Sequence, residues 1–452
     1  MVDSTYITEK TEQQLLTLTE ALASGILNEA EDMLHSLHPA EIAHLLESLP
    51  ADDRLSIWPL ISKALEAEVL INLGDEIRHG LIKDMSPQQL VKVAENLEVD
   101  DSADFVQSLP DTIIDQVLHS LDSQHRKLLE SVLSFPENSA GGMMNTDTIT
   151  VRPEVSLDVV LRYLRLRGEI PKQTDHLIVI DRDSHYLGVL PLSQLLINEP
   201  EKFVLDIMDN KVTAIPSDME DNKIAMMFQD LDLISAPVVD GNNMLLGRIT
   251  VDDVVDVIRD EADHSVLSRA GLTDEDLFAP VLPSARRRAI WLGINLLTAF
   301  LASWVVSNFE DTLERVVTVA ILMNVVASMG GIAGSQTITL VIRSMALGQL
   351  SRSNRWWVFN KEVMVGLFNG IIWAAVVAGI ASLWFNDLSV GLVIAAALII
   401  NLIFAAASGV AIPIILKKLH IDPAIAGSVI LTTITDIVGL LAFLGLATVF
   451  LL

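Results

Sequence analysis

After Arg288 the sequence runs almost to Leu452 in long uncharged apolar stretches. A helix needs about 20 such residues to cross a bilayer, and five stretches qualify: roughly 289–306, 316–347, 363–385, 388–416 and 424–451. This half of the chain therefore reads as a helical membrane domain, and the half before it as soluble. The soluble half carries most of the acidic excess behind the net charge of −29. Such a charge argues against nucleic acid as a partner and towards bound cations. There is no cysteine, so disulfides and thiolate metal sites are excluded. The opening "MVDSTYITEKTEQQLL" lacks the basic start and apolar core of a signal peptide, so the N-terminus is expected to stay in the cytoplasm.

Basic residues set the expected orientation. Arg286, Arg287 and Arg288 precede the first span, Arg343, Arg352, Arg355 and Lys361 lie between the second and third, and Lys417 and Lys418 between the fourth and fifth. The connections on the other side, "NFEDTLER" and "FNDLS", hold only Arg315. The three basic clusters are thus expected on the cytoplasmic side of the inner or plasma membrane, which places the soluble half inside and Leu452 outside. The second span is long for a simple crossing, and its "SMGGIAGSQ" offers Gly330, Gly331 and Gly334, which can bend a helix, admit a close neighbour, or do both.

Residues 1–135 read as short amphipathic helices punctuated by Pro and acidic or Ser caps, with Ser86 and Asp111 as cap candidates, and similar units repeat. From about 136 to 260 the period changes. "MNTDTITVRPEVSLDVVLRYLR" aligns with "MDNKVTAIPSDMEDNKIAMMFQ" as a short strand, a Pro-containing turn and a helix, and "LIVIDRDSHYLGVLPLSQLL" with "APVVDGNNMLLGRITVDDVV" as a strand, a hairpin turn, a Gly-led strand and a helix, an internal duplication. Residues 261–285 form an acidic connection to the membrane half, 286–452.

Asp436 is the most informative single residue. It lies near the centre of the last apolar run, in "TTITDIVGLL", and no Lys or Arg sits at comparable depth in the other spans. A charged group there faces a water-filled path or a partner. A cation is one such partner; the alternative is helix–helix hydrogen bonding with Thr432, Thr433 and Thr435.

The duplication resembles a pair of CBS modules, and over residues 20–452 the order of helical N-domain, "SAGGMM", CBS pair, acidic connection and five spans with "VVASMGGIAGSQ" and "DPAIAGSVILTTITDIVGLL" resembles the MgtE family of magnesium channels or transporters. The resemblance implies a multidomain fold: an all-α superhelical N-terminal domain, an α/β tandem CBS domain and an α-helical membrane domain with five spans. It implies a homodimer in membrane lipid with the pore on the twofold axis, so that two copies of Asp436 face each other. Asn324, Ser335, Ser428, Thr432 and Gly439 are then candidates for the ion path. Mg²⁺ gives up its waters reluctantly, so such a pore would hold the ion hydrated and accept hydrogen bonds from its water shell.

The resemblance further implies closure of the pore by cytosolic Mg²⁺ held between Glu220, Asp232, Asp252, Asp253, Asp256 and Glu261, with Asp100, Asp101 and Asp104 as N-domain partners. Two departures stand out. Ile332 and Ser335 occupy positions where the family commonly has Asn, and His264 stands where it often has an acid. "GRITVDD" matches the CBS pattern for adenosine ribose or phosphate, which makes Thr250 and Asp253 candidates for ATP or another adenine nucleotide; the first module has Pro191 and Gln194 in a degraded version. His35, His38 and His44 suggest a transition metal less strongly than a helix surface. No nucleophile–base arrangement or phosphate loop appears, so no enzyme is expected. Three readings remain: a channel for Mg²⁺ and other divalent cations, a proton-coupled transporter using Asp436, and a membrane-anchored nucleotide sensor.

Overall fold

The structure is a computed structural model that describes residues 4–24, 28–269, 272 and 277–452. The chain divides into two compact units, one built from residues up to Asp263 and one that includes His264 and Val281–Leu452.

The first unit opens on a helix of 21 residues, Ser4–Ser24, longer than the short helices expected there, and continues in short helices whose apolar faces bury Ile42, Leu45, Leu46, Ile57, Leu70, Leu90 and Phe105. Their starts are defined by caps. At Pro39–Glu47 the His38 ring nitrogen accepts from the Ala40 amide, while Glu41 accepts from the His38 amide at 3.0 Å. His38 is thus explained by capping and His44 by its contact with Glu47 at 3.3 Å. At Pro87–Asn96 the Ser86 amide donates to Gln89 at 2.8 Å, as expected; at Asp111–Ser120 the cap position falls to Pro110.

A side-chain device marks the repeat. The Arg54, Arg78 and Arg126 guanidiniums each donate from Nε to a carbonyl eight residues earlier, on Leu46 (2.8 Å), Leu70 (3.0 Å) and Leu118 (2.6 Å). These positions recur every 24 residues, and at the intervening one stands Ser102. Ser102 belongs to Val99–Gln107, so the helix bearing Asp100, Asp101 and Asp104 lacks the cation that its sister repeats carry.

The duplication folds into two equivalent three-stranded sheets. In the first, β1 (Thr150–Val151) pairs parallel with β2 (His176–Ile180), which pairs antiparallel with β3 (Tyr186–Pro191). In the second, β4 (Ile215–Pro216), β5 (Ser235–Val239) and β6 (Leu245–Thr250) repeat the order, with a register shift at the corresponding place. β2 and β5 are buried along their whole length, each an apolar run after one polar residue, His176 or Ser235, the pattern of a strand covered on both faces. The two hairpin turns are also equivalent. Asp181 accepts from the amides of Asp183 and His185, as Asp240 does from Asn242 and Met244. The grouping of Asp181, Asp183 and His185 is therefore a turn device that its counterpart reproduces without the other ligand types.

The last helix of the duplication, Val251–Arg269, runs on without a break through the start of the acidic connection. The boundary expected at 260/261 falls inside it.

Among the described residues the second unit holds five helices long and apolar enough to cross a membrane: Val281–Ser307, Val317–Ala346, Arg355–Phe385, Leu388–Lys418 and Pro423–Leu451. They match the five expected spans, but the third begins earlier than its apolar run, taking in Lys361 and Glu362. The fourth is the most enclosed, burying Ile394, Ala397, Leu398, Asn401, Leu402 and Ala405. The first buries little beyond Val305. The second is one continuous helix through "SMGGIAGSQ", in which Gly330 and Gly334 admit close neighbours while a Cβ on Gly331 would meet nothing within 4 Å. A Cβ on Gly334 would meet the Leu431 side chain at 2.9 Å, and one on Gly330 would meet Asn401 at 2.2 Å.

Candidate functional sites

Asp436 lies near the middle of the fifth apolar helix, half-buried, with no hydrogen-bond or ion-pair partner among the described residues. Ser428 and Thr432 precede it at four-residue steps, which puts all three on one face. Thr432 is exposed, and its hydroxyl donates to the Ser428 carbonyl at 2.9 Å. Thr433 and Thr435 likewise bond within their own helix, to Val429 and Thr432. These threonines therefore do not supply the cross-helix hydrogen bonds that would otherwise account for a membrane carboxylate.

On the second apolar helix Asn324, Ser335 and Ile332 are exposed. Ile332 thus presents a hydrocarbon on the same open side that carries the two polar candidates. Gly439 is placed differently: it is buried, and a Cβ there would meet the Asn401 amide at 2.6 Å. Its role in the fold is to admit that side chain.

Two buried polar residues were missed in the sequence. Asn401 is fully buried; its Nδ2 donates to the Val326 carbonyl at 2.7 Å, and its Oδ1 has no partner among the described residues. An unpaired buried acceptor costs about 1–3 kcal/mol. Glu362 is only 5% exposed and accepts from Lys361 Nζ at 2.6 Å and Thr337 Oγ1 at 3.3 Å. It borders a cavity of about 130 Å³ whose polar lining also includes Gln336 and Asn369. The clue in the sequence was available for Glu362, an acid directly adjoining an apolar run. For Asn401 it was an amide within an uncharged one.

In the first unit the fold brings together acidic residues far apart in sequence. Asn145, 3% exposed, donates from Nδ2 to Glu98 at 2.8 Å and to Asp100 at 3.3 Å. Burial, and then the charge of Asp101, push the Asp100 carboxyl up to about 7. Asp101 is raised to about 7 by burial and then by Glu98, Asp104, Asp252 and Asp256. Asp104 keeps an exposed edge, but surrounding protein and then Glu137 and Asp100 raise it, against the lowering effect of Arg78. Asp253 reaches about 8 through burial and then Asp100 and Asp252.

The candidates Asp100, Asp101, Asp104, Asp252, Asp253 and Asp256 therefore form one field, to which Glu98 is added. Glu220, Asp232 and Glu261 are not shown to join it. Glu220 pairs with Lys223 at 2.9 Å, Asp232 is the left-handed residue ending Asp221–Leu231, and Glu261 is exposed. Thr250 is buried, and its hydroxyl is committed to Asp252 and, at 3.0 Å, to Asp253. Within the second unit, His264 Nε2 lies 3.4 Å from Asp422 Oδ2, while the other Asp422 oxygen accepts from the Ala424 amide at the start of the fifth apolar helix.

The raised carboxyls carry a pH dependence whose sign is fixed. An acid that is harder to ionise in the fold than in the unfolded chain leaves the fold at full stability below the ordinary carboxylate range, and the fold loses stability as pH rises through the shifted values near 7 and 8. In chelator, the melting temperature of the first unit within the intact chain should fall by several degrees between pH 6 and pH 8.5. Added Mg²⁺ should flatten that slope.

A helical N-domain, a duplicated α/β module and five apolar helices, with an internal carboxylate unpaired among the described residues, define the layout of a multi-pass membrane protein. Residues 323–446 match the family of MgtE divalent cation transporters, residues 37–138 the MgtE intracellular N domain, and residues 140–199 and 204–260 the CBS domain. The magnesium transporter MgtE of Thermus thermophilus is 30% identical over 442 residues, covering 96% of this chain and 98% of that protein. The magnesium transporter MgtE of Bacillus subtilis is 27% identical over 440 residues, covering 97% and 98%. A crystal structure of the cytosolic domain of the Mg²⁺ channel MgtE in complex with ATP matches with a TM-score of 0.50 at 31% identity, covering 54% of this chain and 99% of that one. The chain belongs to the MgtE family.

Proposed function

We propose that this chain conducts Mg²⁺ into the cell as a homodimer in the inner or plasma membrane, and that Mg²⁺ bound to its cytosolic half closes the path. The observation that carries the first part is Asp436: a carboxylate in the middle of an apolar helix, without a protein partner among the described residues, on the same face as Ser428 and Thr432. Two such faces across a twofold axis, with Asn324 and Ser335 from the second apolar helix, would offer a hydrated divalent cation fixed charge and hydrogen-bond acceptors. Support for Mg²⁺ as the ion comes from the names of the full-length relatives.

Feedback is supported by the crowded acids. Asp100, Asp101, Asp104, Asp252, Asp253 and Asp256 repel one another where the repeat has Ser102 in place of Arg. A divalent cation relieves that repulsion only when the N-domain and the second module are together, so it favours the compact state. Each ion preferring that state contributes RT ln(1 + [Mg]/Kd), and several sites of roughly millimolar affinity supply the few kcal/mol needed to invert an open–closed balance. Glu220, Asp232 and Glu261 belong to this scheme as ligands from the opposing surfaces of the closed state.

A nucleotide reading is favoured by one observation, the ATP complex of the relative's cytosolic domain. Thr250 and Asp253 are the residues that would hold the ribose or phosphate.

Patch recording from reconstituted protein, with Mg²⁺ varied on the side of the soluble half, tests the proposal. Mg²⁺ current at fixed proton gradient that follows voltage and declines steeply with cytosolic Mg²⁺ is expected. Flux that instead follows the proton gradient would favour coupled transport, and no flux would leave the nucleotide sensor. Orientation has its own test, made simple by the absence of native cysteine. A cysteine at the exposed Ser353 should be labelled only from the cytoplasm, and one at the exposed Asn308 only from outside. The reverse pattern would invert the regulatory scheme.

A further inference from the structure

Three helices of the second unit meet at one amide. Asn401, near the middle of Leu388–Lys418, is fully enclosed and donates from Nδ2 to the Val326 carbonyl of the second apolar helix at 2.7 Å. Both neighbouring helices make room for it with a glycine. A Cβ on Gly330 would lie 2.2 Å from Asn401 Nδ2, and a Cβ on Gly439 of the fifth helix 2.6 Å from the same atom. No side chain fits at either position while the amide is in place. The donation to a carbonyl also fixes which way the amide faces, so Oδ1 is the atom left unpaired in the core.

We propose that Asn401 is a positioning residue for permeation, a peg that sets the separation and rotation of the second and fifth apolar helices and so the geometry of the ion path at Asp436. This rests on the pore reading given above. Val326 is two residues from Asn324, and Gly439 is one helical turn beyond Asp436, about 4.5 Å along the axis. The peg therefore sits at the level of the charge it positions without lining the path itself. A leucine of similar size would fill the same space without an orphaned oxygen. What the amide adds is a directional bond that holds one helix in register while its bulk spaces the other. A hydrated ion is discriminated by the distance between acceptors, so a shift of either helix alters which ion fits.

The test compares Mg²⁺ and Ca²⁺ flux in proteoliposomes of the full chain, normalised to folded protein, with wild type and Asp436→Asn measured first. Absence of Mg²⁺ flux in wild type would defeat the pore reading, and the positioning role with it. With wild-type flux present, Asn401→Ala should lower Mg²⁺ flux severalfold and reduce the Mg²⁺ to Ca²⁺ ratio, because the two helices lose their spacer. Asn401→Ser, which keeps a donor and is milder for folding, should move the ratio in the same direction by less. Gly330→Ala should also impair flux, and combining it with Asn401→Ala should recover part of the loss, since the new methyl then occupies vacated space. An Asn401 variant, Ala or Ser, that melts at lower temperature but keeps the wild-type ion ratio would reduce Asn401 to a packing residue and overturn the proposal. So would additive effects of the Gly330 and Asn401 changes.

Discussion

Asp436→Asn should remove nearly all Mg²⁺ flux while leaving a folded, membrane-inserted protein. The substitution keeps shape and volume, and a neutral amide is cheaper than a carboxylate to hold within a bilayer, so stability should be equal or higher. What is lost is the field: in the proposed dimer two facing charges disappear from the path, and the remaining proposed acceptors, Ser428 and Thr432 with Asn324 and Ser335, carry no net charge with which to draw a divalent ion from water. Asp436→Glu retains the charge but extends it by a methylene towards the axis, so it should conduct with altered preference among Mg²⁺, Co²⁺ and Mn²⁺. Flux in radiotracer or fluorescent-indicator vesicles reads both. Wild-type Mg²⁺ flux in the asparagine variant would remove Asp436 from the ion path.

The second large effect is expected on feedback. Asp101, Asp252 and Asp256 belong to one electrostatic field, and changing all three to Asn removes two opposed quantities at once. Loss of repulsion lets the N-domain and second module stay together without Mg²⁺, which favours a closed resting state. If Mg²⁺ holds them together as proposed, loss of ligands removes that affinity, which favours a channel open at high Mg²⁺. Whichever dominates, the two states then bind the ion more equally, and a ligand without differential affinity shifts no equilibrium. The Mg²⁺ response should flatten both in channel activity and in protease protection of the soluble half. A triple variant with wild-type midpoint and steepness in both assays would show that this cluster is a solvated acidic surface. Glu261→Gln, at a residue the structure leaves exposed, should have a smaller effect than the triple change.

Much of this protein is legible in its local sequence patterns. Five apolar runs became five helices, and the aligned halves of 137–260 became two sheets with the same strand order and the same register shift. The isolated position of Asp436 was equally visible, because the absence of a cation at similar depth is a property of composition. These features depend on period, length and burial cost, which neighbouring residues in the chain impose on one another.

Contacts between distant segments could not be read in the same way. Asp101 and Asp252 feel each other only because the helical repeats fold back onto the duplicated module. Asp104 and Glu261 look alike as acids on helices, and both are exposed, yet Asp104 stands in the field of Glu137 and Asp100. The glycines of the second apolar helix were compatible with a bend or with close approach, and for Gly330 the choice came from a neighbour, Asn401, more than seventy residues away. Sequence by itself determined which segments are apolar, which alternate and which are acidic, since those follow from side-chain chemistry and chain period. Only the tertiary structure decided which acids share one field and which glycines hold one amide, because packing and Coulomb forces act on distance in space.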